Sequence, residues 1–483
     1  MYWTSLAAEL RAMILEELIQ EGNVAHCASV CREWQAAIEQ HNFNSLKLTA
    51  QDIPMFKIMA TRNLSLIRYI WCCIEVRDYD CAECDLDETP NARETNHATF
   101  KDGIRTILCA LSKLPLNLNM TFDISIYSPS DSQHYFQYIR FEPANALSSR
   151  GPLQHARPHE SMQTLSAPLQ SLTAIDRMFP DIEFEEEDDE GKDDFWTYVP
   201  QVPCVTHLLL RRQTRRRWDP IGLSRLVATS QVCKICVMSH GENGGDITND
   251  TQTYVNSELF FKSLVLNTMK RMTIFEDLNE TYITANSTGL HATMDAEPVR
   301  TTSTKLTRQL AEASLGLQHL SAAFIIDARQ FGQVRQPSWI WEQLQTLSIT
   351  SRDLVPYQGP KVNDLIYSAA QAIKTMPKLQ TMELWNGGLG HAAVFRYKSG
   401  KPGGGGFAIA WRASWALQFE PRVVAAWESV AGTSRDAGQY LQIDNELLAP
   451  AQIRSHGEAV LILELEIEVA CSVSIQQIHR EHL

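Results

Sequence analysis

Between residues 64 and 385 one short phrase keeps returning: an aliphatic-rich, strand-like run set off by turn residues and helix-like stretches. It reads LIRYIWCCIEV at 66–76, LNLNMTFDISIY at 116–127, VTHLLLRR at 205–212 and KICVMS at 234–239. It returns as RMTIFED at 271–277, LQHLSAAFIID at 317–327, LQTLSIT at 344–350 and LQTMELW at 379–385. Residues 306–316 and 362–376 are the clearest helices between these runs, and the second stops before Pro377, whose ring disfavours helical backbone in the preceding residue. A strand-helix unit of this size cannot bury its own apolar side, so it must stack on the next. An ordinary α/β domain with a largely parallel sheet gives the same alternation. Either way the chain offers a partner a broad surface, not a small pocket.

The last three phrases share a Leu-Gln-x-Leu/Met opening, which makes the middle leucine-rich-repeat-like. The steps from Leu317 to Leu344 and from Leu344 to Leu379 are 27 and 35 residues, irregular for such a repeat. At 483 residues the chain holds roughly three domains by the usual domain size. Hydrophobic residues at 44% and charged ones at 21% exclude a disordered or fibrous chain. A net charge of -14 argues against binding a phosphate backbone, so nucleic acid is not expected as a partner, and no window approaches 18 apolar residues without charge, so a membrane is not expected either. Eleven cysteines are too dilute for a disulfide scaffold and suit a reducing compartment. Glu9, Arg11, Glu16 and Glu17 interrupt the apolar run a signal peptide needs, so a cytoplasmic or nuclear location, or both, is expected.

Two interruptions break the pattern. Residues 142–203 hold seven prolines and the run EFEEEDDEGKDD at 183–194, which predicts a mobile insertion, and 277–305 predicts a second long loop. The basic run RRQTRRR at 211–217 follows closely, and the expectation is a solvated, mutually screening pair of charged runs, with an acidic partner or nuclear import as alternatives. Near the C-terminus, two strands flank the glycine-rich turn at 399–406, which lacks the Gly-Lys-Ser/Thr ending of a phosphate loop. A helix is expected over 421–432, with Pro421 at its start and Gly432 at its end. Alternation over 459–475 predicts a long strand whose Glu464, Glu466 and Glu468 form a wet outer face.

The N-terminal fifty residues have a different period. Leu6, Leu10, Met13, Ile14 and Leu18 fall on one helical face, Gly22-Asn23 breaks the helix, and Val24, Cys27, Val30, Cys31, Trp34 and Ile38 form the next stripe before Phe43, Leu46 and Leu48. The short elements predict a compact three-helix bundle, since none is long enough to stand alone. These residues resemble the F-box family, whose Leu-Pro-x-Glu-Leu/Ile opening, Ile-Leu pair, Leu, Val-Cys-Arg/Lys-x-Trp core and late aromatic closure read here as Leu6-Ala7-Ala8-Glu9-Leu10, Ile14-Leu15, Leu18, Val30-Cys31-Arg32-Glu33-Trp34 and Phe43 with Leu46. Ala7 stands where the family usually has proline. The resemblance implies docking onto a Skp-type adaptor carried by a cullin scaffold, with Leu6, Ala7, Glu9, Leu10, Ile14, Leu15 and Leu18 at that surface and Val30, Cys31, Trp34, Ile38 and Phe43 in the F-box core. It further implies a non-catalytic ubiquitin-ligase subunit that recruits an unknown protein target. A scaffold whose helical cap meets no adaptor is the alternative.

The expected fold is thus mixed, α+β and α/β: a three-helix F-box over 1–50, an irregular leucine-rich-repeat-like α/β middle over 51–390, and a small C-terminal antiparallel sheet with a helix over 391–483. No hydrolase elbow, zincin motif, Walker loop or dinucleotide fingerprint occurs, and no cofactor is expected. Cys81-x-x-Cys84 and Cys233-x-x-Cys236 are half-sites for zinc that only folding could join, with His97 as a distant ligand, and free thiols are the simpler reading. His391 and Asp364 could join a serine in a triad, but fourteen histidines make such choices free.

Overall fold

The computed structural model describes residues 3–22, 24–132, 177–182, 184, 195–212, 214, 216–218, 220–240, 261, 269–277, 303–400, 407–432, 441–449 and 453–481. Its strands are β1 Ser45–Thr49, β2 Tyr69–Glu75, β3 Met120–Tyr127, β4 Asp181–Ile182, β5 Val205–Leu210, β6 Arg217–Trp218, β7 Lys234–His240, β8 Arg271–Asp277, β9 His319–Ala323, β10 Thr346–Thr350, β11 Thr381–Gly388, β12 His391–Lys398, β13 Phe407–Ala413 and β14 Leu441–Leu447. The helices are α1 Ala8–Glu21, α2 Arg32–Asn44, α3 Ile53–Asn63, α4 Pro90–Leu111, α5 Pro220–Ala228, α6 Thr304–Ala313, α7 Ala328–Val334, α8 Gly359–Ala372, α9 Pro421–Gly432, α10 His456–Ile462 and α11 Ser472–Glu481. The chain is a mixed α/β protein. All eight recurring phrases carry strands, and the two helices expected between them are α6 and α8.

Apart from the short pair β4 and β6, the strands form one 12-stranded sheet whose order follows the chain from β1 to β14. Neighbours from β1 to β11 run parallel, β12 and β13 add antiparallel, and β14 is parallel to β13. The C-terminal strands therefore extend the large sheet and do not make the small separate one expected over 391–483. The hairpin from β11 to β12 turns through Gly390, whose φ of 75° suits glycine.

Strand residues alternate between two environments. Ile70, Ile124, Leu208, Ile235, Met272, Leu320, Leu347 and Met382 face a helix layer, where Ile104, Leu226, Leu310, Phe331, Ile366 and Trp427 supply the opposing side chains. Local chemistry starts these helices: the Thr89 hydroxyl accepts from the Ala92 N–H at 3.3 Å ahead of Pro90, and Ser303 caps α6 in the same way.

Residues 459–475 are not the strand that their alternation predicts. Ser455 accepts from the Glu458 N–H at 3.2 Å and opens α10, Glu464 turns the chain with φ of 49°, and α11 follows from Ser472. This segment lies on the sheet face that the helix layer leaves open. Its Val460, Leu463, Val469 and Ile478 complete a second core with Phe275, Phe324, Trp385 and Val394. Phe324 packs edge-on against Phe275 and Trp385, with centroids at 5.4 and 5.2 Å.

The insertion expected over 142–203 is partly anchored. Phe184 sits among Phe100, Phe195, Trp196 and Trp218, all with centroids within 4.8 to 5.9 Å of a ring neighbour. Aromatic residues embedded in the acidic, proline-rich composition give this part apolar area to bury. Residues 133–176 and 185–194, the glycine-rich turn at 401–406 and most of the second expected loop lie outside the described residues.

A Cβ on Gly387 would meet the Ala459 Cβ at 2.1 Å, because α10 rests directly on β11. Gly387→Ala should cost about 1–3 kcal/mol through overpacking, and adding Ala459→Gly should restore part of it. Urea unfolding of the two single variants and the double closes that cycle, and additive effects would contradict the placement of α10.

Candidate functional site

The N-terminal helices lie at the β1 end of the sheet, and α2 passes into β1 between Asn44 and Ser45 with no linker. Among the described residues the bundle holds two α-helices and two 3-10 turns, Trp3–Ser5 and Ala25–Ser29, where three helices are expected. Arg11 pairs with Glu33 at 2.9 Å, the Trp3 indole donates to Glu33 at 2.8 Å, and Trp3 meets Trp34 edge-on at 5.2 Å. These contacts tie the start of α1 to the start of α2.

On α1, Leu10, Met13 and Ile14 are 49%, 63% and 44% exposed and lie at i, i+3 and i+4, so they form one apolar ridge. Leu6 and Leu18 are half-buried beside it, and Ala7 and Glu9 are exposed. Ala7 is the N-cap with φ of -57°, within reach of the proline that the F-box pattern favours. Leu15, expected on the partner surface, is instead the buried residue of α1, which packs on α2. Ile38 is fully buried, Trp34 is half-buried, and Phe43 is half-buried in a recess of about 190 Å³ that Leu46, Leu48, Met55, Phe56 and Ile67 also line. Val30 and Cys31 are exposed, not core: at Cys31 the backbone is extended, with φ of -161°, and this break turns both residues outward. Met13 belongs to the ridge although the F-box pattern assigns it no role, and its helical spacing is the signal that finds it.

The open sheet face carries the buried charge. Arg211, Arg212 and Arg216 of the basic run are buried, not solvated, and their partners are strand and loop carboxylates at Asp123, Asp277 and Asp131. The chain turns back onto the sheet after β5, and each guanidinium meets a carboxylate far away in sequence. Arg211 also stacks over the Trp71 ring at 4.5 Å and bonds the Tyr69 hydroxyl, while Asp277 accepts from Arg212 and lies 3.0 Å from His456 Nε2. Burial raises the Asp123 pKa further than Arg211 and Tyr69 lower it, and among the described residues its Oδ1 has no hydrogen-bond partner. Glu383 is buried between Arg396 at 2.6 Å and the N–H groups of Glu466 and Ile467 at 3.0 and 3.1 Å.

The glutamates expected on a wet outer face are exposed, and each also reaches a basic side chain of this sheet. Glu464 pairs with Arg412 at 3.0 Å, Glu466 pairs with Lys398 and lies 3.6 Å from Arg396, and Glu468 pairs with Lys234 at 2.8 Å. At the starts of the central strands the same face shows a register row, His207–Lys234–Arg271–His319, on β5, β7, β8 and β9.

The cysteine pairs stay apart. The Cys84 thiol donates to the Cys81 carbonyl at 3.2 Å, His97 Nε2 lies 3.3 Å from the Asp181 carbonyl, and Cys236 is buried beside Cys471 with both thiols raised in pKa by burial. Among the described residues no group of three His, Cys, Asp or Glu side chains could hold a metal ion. Asp364 pairs with Arg422 at 2.6 Å in the helix layer, and His391 turns its Nδ1 to the Leu389 carbonyl at 3.2 Å. Among the described residues no helix is long and apolar enough to cross a membrane.

Residues 264–471 match the model of a family of unknown function (DUF6546), a span from the approach to β8 to the end of the segment preceding α11. No curated protein matches the chain.

The hydrogen bonds from Trp3 and Arg11 hold the Glu33 carboxyl below its ordinary pKa. A depressed acid stabilises the fold fully above its unfolded pKa, and that contribution is lost as pH falls through the folded value. Amides of α1 and α2 should therefore lose hydrogen-exchange protection below about pH 4. Glu33→Gln should show weaker protection at neutral pH and a flatter acid response, and identical profiles would refute the tie. Asp123→Asn should destabilise the chain by about 3–5 kcal/mol, because it leaves Arg211 buried without its counter-charge. Calorimetry reads that loss.

Proposed function

We propose that the chain is the substrate-recruiting F-box subunit of a cullin-type ubiquitin ligase, working in the cytoplasm, the nucleus or both. The observation that carries this reading is the exposed Leu10, Met13 and Ile14 ridge on a helix tied down through Trp3, Arg11 and Glu33, in the segment that resembles the F-box. A Skp-type adaptor would take this ridge into an apolar groove, and the adaptor would hang from a cullin scaffold. The subunit would break no bond itself and would need no cofactor. Its contribution would be proximity, holding a protein target near the conjugating machinery at high effective concentration.

The middle of the chain would serve as the target platform. Strands that add in chain order without reversal, with helices on one face, support a leucine-rich-repeat-like reading despite irregular steps. A broad sheet face of this kind suits a protein target better than a small molecule. Ala7 in place of the family's proline favours the second reading, a scaffold with an F-box-like cap that meets no adaptor.

Co-expression with a Skp-type adaptor followed by affinity purification tests the proposal. The adaptor should co-purify with the wild-type chain, and Leu10→Asp with Ile14→Asp should weaken capture by about 2–4 kcal/mol, the scale of an interface anchor. Met55→Asp, an exposed apolar site on α3, should leave capture intact. A wild-type chain that never retains the adaptor would leave the scaffold reading in its place.

A further inference from the structure

The strand β14 ends the 12-stranded sheet and pairs with β13 on one side, so among the described residues its outer edge is unpaired along Leu441–Leu447. The N–H and C=O groups on that side are a template for another strand. Every residue from Gln442 to Leu447 is exposed. Register with β13 sorts them by face: Ile443, Asn445 and Leu447 share the helix side with Trp411, and Gln442, Asp444 and Glu446 share the other side with Arg412. Ile443 and Leu447 are 38% and 68% exposed. Arg412 pairs with Glu446 at 2.8 Å and with Glu464 at 3.0 Å, so one cation serves two carboxylates. Asp444 takes the Gln442 amide at 3.0 Å, and among the described residues no cation pairs with it. Edges that proteins keep clear are short, bulged or guarded by proline or lysine. In contrast, β14 keeps unbroken register with β13, contains neither proline nor lysine, and shows aliphatic side chains to solvent.

We infer that this edge is a docking site for an extended segment of another protein in which lysine or arginine alternates with aliphatic residues, added as a further strand. Side chains of a strand point alternately to the two faces, so the cations of such a segment would lie beside Asp444 and Glu446 while its aliphatic residues cover Ile443 and Leu447. Backbone hydrogen bonds supply the affinity, and the alternation supplies the selectivity. A second copy of this chain fits less well. Antiparallel addition of β14 to itself sets Asp444 opposite its own copy when centred there, or opposite Glu446 when centred on Asn445, and like charges so placed are destabilising. The β1 edge of a second copy offers the single cation Lys47. The edge lies eleven strand steps from β1, far from the ridge on α1. The inference rests on the ligase reading only in calling such a segment a target.

Fluorescence anisotropy of the purified full chain, with no adaptor present, tests the edge separately from adaptor capture. The probes are a short labelled peptide of alternating lysine and valine and a peptide of the same composition with its lysines in one block. The alternating peptide should bind at low salt and weaken as salt rises, and the block peptide should bind at least about tenfold more weakly. Asp444→Lys should lower affinity by about tenfold, while Glu16→Lys, an equal change of charge at an exposed site on α1, should leave it within about twofold. Hydrogen exchange with the alternating peptide bound should show new protection over residues 441–447. Equal binding of the two peptides, equal losses from Asp444→Lys and Glu16→Lys, or protection that arises elsewhere and not in β14 would overturn the assignment. Self-association of the chain that Lys47→Glu abolishes would also overturn it, and would give the edge to a second copy.

Discussion

A sheet of parallel strands must hide both faces from water along most of its width, and the helices between these strands lie on one face only. Much of the other face is closed by the chain's own later segments. The loop after β5 folds back over β3 with Arg211, and residues 453–481 return over β8 to β12. The aromatic cluster of Phe275, Phe324 and Trp385 would face solvent without Val460, Leu463 and Ile478 above it. Closure of the second face is therefore what joins the end of the chain to its middle.

Charge makes that closure specific. Asp277 on β8 is shared by Arg212, which follows β5, and by His456, which opens α10, and the Arg212 N–H donates to Ser474 at 3.1 Å. Three distant stretches thus meet around one buried carboxylate. Burying such charges costs desolvation that a well-packed apolar contact would avoid, so their contribution is placement more than stability. Glu383 acts in the same way farther along the C-terminal strap, residues 453–481, where its oxygens take Arg396 and the N–H groups of Glu466 and Ile467. A strap held by apolar contacts alone could slide along the sheet; one whose N–H groups must meet Glu383 cannot.

Most of the sheet was legible because period-two alternation and turn residues are local signals, and every recurring phrase carries a strand. The strap was not legible, because LILELEIEV alternates as a strand does while its real constraint is a face formed by residues much earlier in the chain. The same distance hid the basic run: Arg211 and Asp123 are 88 residues apart, and Arg212 and Asp277 are 65 apart. The N-terminal pattern showed which residues are apolar but not which way they point. One break in the backbone at Cys31 moved Val30 and Cys31 from the expected core to the surface, and the packing of α1 on α2 took Leu15 inside. The basic row spreads one residue onto each of four strands, and only strand register brings its members together.

The direct passage of α2 into β1 gives the architecture its functional consequence. With no linker between them, the apolar ridge on α1 and the sheet face are held in one arrangement. The strand order places β7, which carries Lys234, four steps from β1, about 19 Å across the sheet. On the ligase reading, an adaptor on the ridge and a target on the repeat-like middle would be held by a rigid spacer, and the ordering entropy of bringing them together would already be met in the folded chain. A flexible tether would give the same two contacts but would spread the target over many positions. Strand-by-strand addition from the N-terminal helices outward fixes that spacing, because each strand's place depends on the one before it.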